Sequence, residues 1–181
     1  RPGEIHVFDE AAEEVVYTGP DAELVPALIA EMVGQITADD APVLVRAAMA
    51  HLNLTMIHPF RDGNGRMARC LQTLVLAKEQ IAAPVFSSIE EYLGRNTRTY
   101  YDILGETGRG SWNPGNDASG WLRFCLTAHY RQARTHLRRI EEIESLWSEC
   151  VRIAQKHGLN ERAAAGLVEV AFGFRLRRGT Y

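Results

Sequence analysis

Several features that define other classes of protein are scarce or missing in this 181-residue sequence. No run of about 18 apolar residues is present, which excludes a membrane-spanning helix. No apolar stretch with a cleavage site stands at the start, so we expect a cytoplasmic protein without membrane association. The three cysteines, Cys70, Cys125 and Cys150, are widely spaced in apolar helical patterns. This excludes a disulfide framework and a zinc knuckle and predicts buried thiols.

The sequence also lacks a large excess of positive or negative charge. The formal net charge is -3 at pH 7, so the chain as a whole does not attract nucleic acid, and any polyanion must be bound locally. Lysine occurs only as Lys78 and Lys156. The other basic residues are arginines, whose planar guanidinium suits phosphate and carboxylate oxygens. The initiator methionine is also absent, which predicts a fragment or a processed form.

The residues that are present favour one helical core. Apolar residues make up 46% of the chain, enough for a single sizeable core. Two β-prone runs, 5–8 and 15–17, flank an acidic connection and predict a hairpin, which is marginal in water without further support. Helical segments follow from about 20 to 36 and from about 42. The predicted fold class is therefore all-α with a small β-hairpin.

A twelve-residue segment, "HPFRDGNGRMAR" at 58–69, interrupts the second helix. Pro59 disfavours the α conformation at His58, so the helix should end there. Gly63 and Gly65 allow backbone conformations that other residues resist. The segment is therefore predicted to form a tight turn between two helices.

A new helix is predicted from about Asn64. The i, i+3, i+4 spacing of apolar residues defines its predicted buried face, which consists of Met67, Cys70, Leu71, Leu74 and Val75. Arg66 and Arg69 are one turn apart and lie off that face. Both guanidinium groups can therefore point back toward the turn.

The rest of the chain is predicted to be mostly helical. Residues 87–104 have a helical pattern, whereas 109–120 are rich in Gly, Asn and Ser and predict a loop. Residues 121–157 contain no glycine or proline, which indicates one long helix or two abutting helices. Gly158 is the predicted C-terminal stop, and another helix should start at Asn160.

The turn at 58–69 combines the groups that phosphate chemistry needs. A helix N-terminus behind a glycine-rich turn presents unpaired N–H groups and the positive end of the helix dipole, which together cradle an anion. Arg66 and Arg69 can clamp further phosphate oxygens. The Asp62 carboxylate is of the kind that Mg²⁺ accepts beside substrate phosphates, and His58 could take a proton from an attacking hydroxyl.

At these residues the sequence resembles the Fic (filamentation induced by cAMP) family, whose signature is HPFx(D/E)GNGRxxR. Residues 58–69 fill every fixed position of that signature. The resemblance implies a Fic-type helical core with a β-hairpin flap over residues 1–158. It also implies transfer of AMP from ATP to a tyrosine, threonine or serine hydroxyl of a target protein.

The resemblance also implies a role for each residue of the signature. His58 is then the general base, and Asp62 holds the Mg²⁺ that bridges the α- and β-phosphates. Arg66 and Arg69 bind the remaining phosphates, while Phe60 is a packing anchor for the loop. The implied anion hole consists of Gly63, Asn64 and Gly65.

Two further sets of residues are carried over from the family. Tyr100 and Tyr101 are implied neighbours of the adenine ring. The flap, 4–17, is implied to hold the target segment by strand addition. Its predicted docking residues are Ile5, His6, Val7 and Phe8.

Regulation and alternative functions stay open at this point. The family's inhibitory pattern, (S/T)xxxE(G/N), whose glutamate pairs with the arginine at position 69, is not found. The nearest string, 87–92, lacks the final Gly or Asn, so inhibition by a segment before Arg1 or by an antitoxin-like partner is possible. Transfer of another nucleotide, removal of AMP and kinase-type transfer are alternatives, although Gly65 argues against the kinase variant.

A DNA-binding regulator is the alternative from a different class. Residues 159–181 end in a basic cluster, Arg175, Arg177 and Arg178, and resemble the beginning of a winged helix-turn-helix found on some Fic proteins. A terminal helix that packs on the core would also account for these residues.

His51 lies seven residues before His58, and the two could form a metal pair. Without a third ligand, a packing or hydrogen-bonding role is favoured for His51.

Overall fold

Helices dominate the computed structural model, which describes residues 6–9, 13–38, 41–80, 83–160 and 162–174. The elements in chain order are β1 (His6–Asp9), β2 (Glu14–Thr18), α1 (Val25–Thr37), α2 (Val43–Ile57), α3 (Asn64–Lys78), α4 (Pro84–Ser87), α5 (Glu90–Arg95), α6 (Thr97–Gly108), α7 (Ser119–Lys156) and α8 (Arg162–Ala171). The prediction of an all-α fold with a small hairpin is confirmed.

The chain forms two compact units, Arg1–Ala133 and Arg134–Tyr181. The first contains the hairpin, α1 to α6 and the first part of α7. The second contains the rest of α7 and α8, with Cys150, Ala154 and Ala164 buried. The division of the chain at residue 158 into two domains stays a prediction.

The helix ends around the twelve-residue segment lie where the sequence predicts them. Pro42 is the N-cap of α2, which ends at Ile57, and α3 begins at Asn64. By contrast, α1 begins at Val25 rather than near residue 20. A turn precedes it, and Pro26 occupies the first helical turn, where its missing N–H leaves no hydrogen bond unmade.

The hairpin is held against the helical core at two places. β1 and β2 pair antiparallel, with His6 opposite Thr18. The Thr18 N–H donates to Gly110 O at 3.0 Å, and the Trp112 N–H donates to Thr18 O at 2.8 Å. The Tyr17 hydroxyl donates to the Met56 carbonyl at 2.9 Å, just before the end of α2. The hairpin therefore has the support that a two-stranded sheet needs. Ile5 lies outside the described residues.

The core of the first unit is built around Trp121. Its ring is fully buried, and its Nε1–H donates to the Ala48 carbonyl of α2 at 2.8 Å. Buried residues of α2, α5, α6 and α7 surround it, including Ala48, Leu52, Leu93, Tyr100, Leu104, Cys125 and Ala128. This packing fixes α2, which carries the start of the twelve-residue segment at its C-terminal end.

The predicted buried face of α3 is wrong at three of its five residues. Met67 and Leu74 are 48% and 63% exposed, and Cys70 is exposed as well. Val75 is buried as predicted, and Leu71 packs against the core. The other buried residues of α3 are Asn64, Ala68, Gln72 and Leu76. The buried face includes two amide side chains with partners inside the protein, and apolar spacing alone cannot detect such positions. Cys125 and Cys150 are buried as predicted.

The predicted helical stretch 87–104 is divided among several short helices. The break between α5 and α6 falls at Asn96, whose side-chain amide donates to the Tyr92 carbonyl at 2.8 Å. Such local bonds offer the backbone an alternative to continuing the helix. The predicted loop is present between α6 and α7, and α7 is a single helix followed by Gly158 at φ +66°.

The C-terminal prediction is only partly covered by the structure. α8 begins at Arg162, close to the predicted start at Asn160. The basic cluster Arg175, Arg177 and Arg178 lies outside the described residues, so the helix-turn-helix and DNA-binding alternatives stay predictions. Within the described part of the chain, no helix is both long and apolar enough to cross a bilayer.

Candidate active site

His58 is the C-cap of α2 and has a left-handed backbone, with φ 53° and ψ 53°. This conformation turns the chain sharply out of the helix before Pro59. The imidazole Nδ1 lies 3.1 Å from the Thr55 carbonyl oxygen. Since a carbonyl can only accept, Nδ1 carries a proton, and in the neutral imidazole Nε2 then has a lone pair that can accept one.

The turn that follows has the backbone geometry of the predicted anion cradle at the start of α3. Gly63, at φ +86°, adopts a conformation that favours glycine. The first intrahelical hydrogen bond is donated by the Met67 N–H to Gly63 O at 2.9 Å. The N–H groups of Asn64, Gly65 and Arg66 precede that bond and point out of the helix end together with its positive dipole.

Both arginines of the segment fold back over this cradle, as predicted. Arg66 Nη2 lies 3.4 Å from the place that a Cβ on Gly63 would take, and Arg69 Nη1 lies 3.3 Å from the corresponding place on Gly65. A side chain at either glycine would crowd a guanidinium and the space beside it. The two glycines therefore keep open the space in which an anion could meet backbone N–H groups and guanidinium groups together.

Asn64 holds the turn together from inside. Its side chain is buried, with Oδ1 accepting from the Phe60 N–H at 2.9 Å and Nδ2 donating to the Phe60 carbonyl at 2.7 Å. The ring of Phe60, predicted to be the packing anchor, is 44% exposed. The anchor of the loop is therefore the main chain of Phe60, because the Asn64 amide satisfies both of its hydrogen-bonding groups.

Arg69 has a partner that lies far from it in sequence. Its Nε donates to Glu90 Oε1 at 2.7 Å. Burial lowers the pKa of Arg69, but the hydrogen bonds and charges of Glu90 and Tyr100 outweigh burial and raise it above the ordinary value. Glu90 belongs to the 87–92 string that lacks the complete inhibitory pattern, and no local signal in the sequence identifies it as a partner of Arg69.

Tyr100 is buried in the core, whereas Tyr101 is 62% exposed. Burial raises the pKa of Tyr100 to about 12, against the opposing effect of Arg69. The Tyr100 hydroxyl lies 3.0 Å from His51 Nε2, so it is committed to a contact inside the protein. An adenine contact by Tyr100 or Tyr101 stays a prediction.

A buried polar network connects His51 to three other helices. Its Nδ1 lies 2.5 Å from Gln72 Oε1 of α3, and Gln72 Nε2 lies 2.8 Å from His129 Nε2 of α7. The hydrogen-bonding role favoured for His51 is confirmed. His129 gave no signal in the sequence, because its partner is 57 residues away.

This network predicts a loss of stability in acid. Burial lowers the pKa of His51 and of His129 to about 4; the Gln72 hydrogen bond opposes this shift at His51. Below pH 6.5 the unfolded imidazoles bind protons that the folded ones do not, so stability falls as the pH drops from 7 toward 4. We expect the protonation of His51 in the unfolded state to make the free energy of unfolding about 2 kcal/mol smaller at pH 5 than at pH 7. His129 should change it in the same direction.

Urea denaturation at pH 7 and pH 5 tests this expectation. His51→Gln should show a smaller pH dependence than the wild type, because the titrating group is gone. His157→Gln, which changes an exposed histidine of the second unit, is the matched control and should keep the wild-type dependence. Equal pH dependence in all three proteins would contradict the assignment.

The surroundings of Asp62 fit a magnesium ion only if a substrate supplies further oxygens. Asp62 Oδ1 accepts from the Gly63 N–H at 2.6 Å, and Oδ2 accepts from Arg66 Nη2 at 3.0 Å, with the side chain 88% exposed. In the described part of the chain, no group of three or more His, Cys, Asp or Glu side chains could hold a metal ion. One exposed carboxylate beside an anion cradle suits Mg²⁺ that is shared with phosphates.

A cavity of 390 Å³ lies between the hairpin and the turn. Its lining residues come from β1, the approach to α1 and the twelve-residue segment, namely His6, Ala22, Val25, His58, Pro59, Phe60 and Arg61. It therefore brings His6, the first described residue of the hairpin, to the same space as His58.

Comparison with known proteins identifies relatives of this chain. The model of the Fic/DOC family matches residues 3–76. A Fido domain-containing protein of Dictyostelium discoideum is 35% identical over 142 residues, which are 71% of this chain and 91% of that protein. Protein adenylyltransferase fic-1 of Caenorhabditis elegans is 31% identical over 98 residues, and protein adenylyltransferase Fic of Nematostella vectensis is 35% identical over 91 residues.

The two adenylyltransferases are much longer than the matching region. The aligned parts are 49% and 50% of this chain but only 19% and 18% of those proteins. The crystal structure of a Fic family protein from Desulfovibrio desulfuricans superimposes with a TM-score of 0.66 and 24% identity, covering 97% of this chain and 50% of that one. It has the same fold. The match to the Dictyostelium protein along nearly its whole length, with the match of the family model, shows that the chain belongs to the Fic/DOC family.

Proposed function

We propose that this protein transfers AMP from ATP to a hydroxyl group of a target protein. One observation carries the proposal: within twelve residues, the proton acceptor His58 lies next to the anion cradle at the start of α3. Two guanidinium groups, those of Arg66 and Arg69, lie over that cradle. The names of the adenylyltransferase relatives support the same class of reaction.

In the proposed reaction the oxygen of the target hydroxyl attacks the α-phosphorus of ATP. A new P–O bond forms, and the bond from that phosphorus to the oxygen bridging the α- and β-phosphates breaks. Pyrophosphate leaves with the electron pair. His58 Nε2 takes the hydroxyl proton, and the hydrogen bond from Nδ1 to Thr55 O keeps the ring in the tautomer that can do so.

The remaining groups of the site position and stabilise the phosphates. The N–H groups at the start of α3 donate to the phosphate oxygens and stabilise the negative charge that develops on them in the transition state. The turn does not have to rearrange for this, because Asn64 already holds its shape. Arg66 and Arg69 bind the other phosphate oxygens. Mg²⁺ held by Asp62 would supply charge neutralisation between phosphates when bound.

The flap is proposed to hold the target segment. β1 is four residues long, and its His6 lines the cavity that also contains His58. A segment added to β1 by main-chain hydrogen bonds would place its hydroxyl close to the imidazole. Val7 and Phe8 belong to the same strand, so the proposed docking residues other than Ile5 lie on a described element.

The proposal is tested by following two differently labelled forms of ATP. The chain is incubated with Mg²⁺ and a cell lysate, in parallel reactions with ATP labelled at the α- or the γ-phosphate, and protein-bound label is measured. We expect α-label without γ-label, abolished by EDTA. The γ-label alone would indicate kinase-type transfer, and no label from either form would contradict a transferase acting on proteins of that lysate.

A further inference from the structure

Four large apolar side chains are exposed along one face of α7, in the part of that helix that belongs to the second unit. They follow one another at steps of three or four residues, which places them in one stripe. They are Leu137, Ile140, Ile143 and Trp147, and each is between 41% and 60% exposed. Single exposed apolar residues are common in proteins, whereas a contiguous apolar stripe marks a surface that binds a partner.

The same stripe is buried farther along the helix. Cys150 and Ala154 continue the spacing, and both are buried, as is Ala164 of α8. The second unit therefore covers this face of α7 at its C-terminal end and leaves it open from Leu137 to Trp147. The open part is about three turns long, which is enough to pack against one other helix.

The charges along the open part of α7 are divided by sign. Residues 134–140 contain three arginines and no acidic residue, whereas residues 141–149 contain four glutamates and no basic residue. In a parallel pair of such helices, like charges face each other. In an antiparallel pair, the basic half of each helix lies opposite the acidic half of the other, which favours that orientation. The face is therefore complementary to a reversed copy of itself.

Arg138 shows that these charges are accessible to a second chain. Its Nε lies 3.5 Å from Glu142 Oε1, one turn along the same helix, and both side chains are 67% exposed. An ion pair as exposed as this contributes little to stability. The guanidinium can therefore also contact a carboxylate on another molecule.

We propose that this face of α7 binds the same face of a second copy of the chain. The two helices pair antiparallel around a two-fold axis near residue 142. Leu137 of each copy then lies opposite Trp147 of the other, and Ile140 and Ile143 lie close to the axis. Such a contact closes after two chains, and its small size gives a reversible dimer rather than an obligate one.

The charges favour a second copy over a polyanion as the partner. Four glutamates lie on one half of the face, so nucleic acid or an anionic membrane would be repelled there. In the antiparallel pair, by contrast, Arg138 of one copy lies within one turn of Glu144 of the other. Each such contact occurs twice in the dimer because of the two-fold symmetry.

Sedimentation equilibrium of the chain and of Ile140→Glu tests the dimer at concentrations from about 1 to about 300 µM. We expect the wild type to reach the mass of a dimer within this range. Ile140→Glu should raise the dimer Kd about 100-fold, because each copy then brings a charge into the centre of an apolar contact. Since Ile140 is exposed in the single chain, the circular dichroism spectrum of this variant should remain that of the wild type.

Ile153→Glu is the matched control. Ile153 also lies on α7 and is 36% exposed, but the helical spacing places it on a different face from the stripe. The same change of side chain should therefore leave the dimer Kd as it is in the wild type.

Charge reversal tests the antiparallel orientation. Arg138→Glu and Glu144→Arg should each raise the dimer Kd about 10-fold, because each change is present twice in the dimer. The double variant should regain most of the lost affinity, since opposite charges face each other again. A double variant as weak as the two single losses combined would overturn the antiparallel pair.

Two further results would overturn the dimer itself. A wild-type chain that stays monomeric at the highest concentration would assign the face to a different partner. A dimer that persists unchanged in Ile140→Glu would show that the chain associates through another surface. All of these measurements are made without nucleotide, so they do not depend on AMP transfer.

Discussion

Replacing His58 is expected to lower the rate of AMP transfer about 10³-fold while ATP remains bound, since a positioned general base contributes on that order. The imidazole lies at the cavity beside the flap and takes no part in the anion cradle. Its loss removes the acceptor for the hydroxyl proton and leaves the phosphate contacts in place. Transfer is measured as α-label in protein, and binding as the Kd for Mg·ATP.

Two variants of His58 are needed because its backbone is left-handed. At φ 53° alanine is strained, whereas asparagine tolerates the left-handed conformation. Both His58→Ala and His58→Asn should lose transfer, and only the first should lower stability. His157→Ala, in the second unit, is the control. Transfer at the wild-type rate in His58→Asn would eliminate His58 as the base.

Replacing Asn64 by alanine is the change with the second largest expected effect. It leaves the N–H and the carbonyl of Phe60 without their buried partner, which costs about 2 kcal/mol of stability. The turn before α3 then loses its fixed shape, and we expect transfer to fall about 100-fold, because misplacement of about 1 Å has that consequence. Thermal unfolding and the α-label assay measure the two effects.

Asn64→Asp is the companion variant that separates shape from charge. The carboxylate can still accept from the Phe60 N–H but has no hydrogen for the Phe60 carbonyl, and it places a negative charge at the helix start where phosphate should bind. We expect it to weaken Mg·ATP binding more than alanine does. Wild-type melting and wild-type transfer in Asn64→Ala would show that the amide does not hold the loop.

Predictions from sequence succeeded where the physical cause is local. Pro59 ends the preceding helix, and Gly63 takes the positive φ that starts the next one. The fold back of Arg66 and Arg69 over the cradle follows from helical spacing alone. The fold class and the shape of the turn could therefore be predicted from a dozen adjacent residues and the periodicity around them.

The partners that orient those residues could not be predicted, because they are distant in sequence. Glu90 reaches Arg69 across 21 positions, and His51 reaches Tyr100 across 49. Three residues of the buried face of α3 were predicted wrongly for a related reason. Gln72 is polar, and only its contacts with two histidines from other helices make its burial favourable.

The tethering of the hairpin has a consequence for the choice of targets. β2 pairs with β1 on one side and, at its last residue Thr18, with the 110–112 segment on the other, whereas among the described residues β1 pairs with β2 alone. An added strand would therefore meet backbone groups, which are the same in every amino acid. If the hairpin holds the target as proposed, this edge would select targets by backbone conformation rather than by amino-acid type. It would accept a hydroxyl on a segment that is extended or can unfold locally, and reject one on an intact helix.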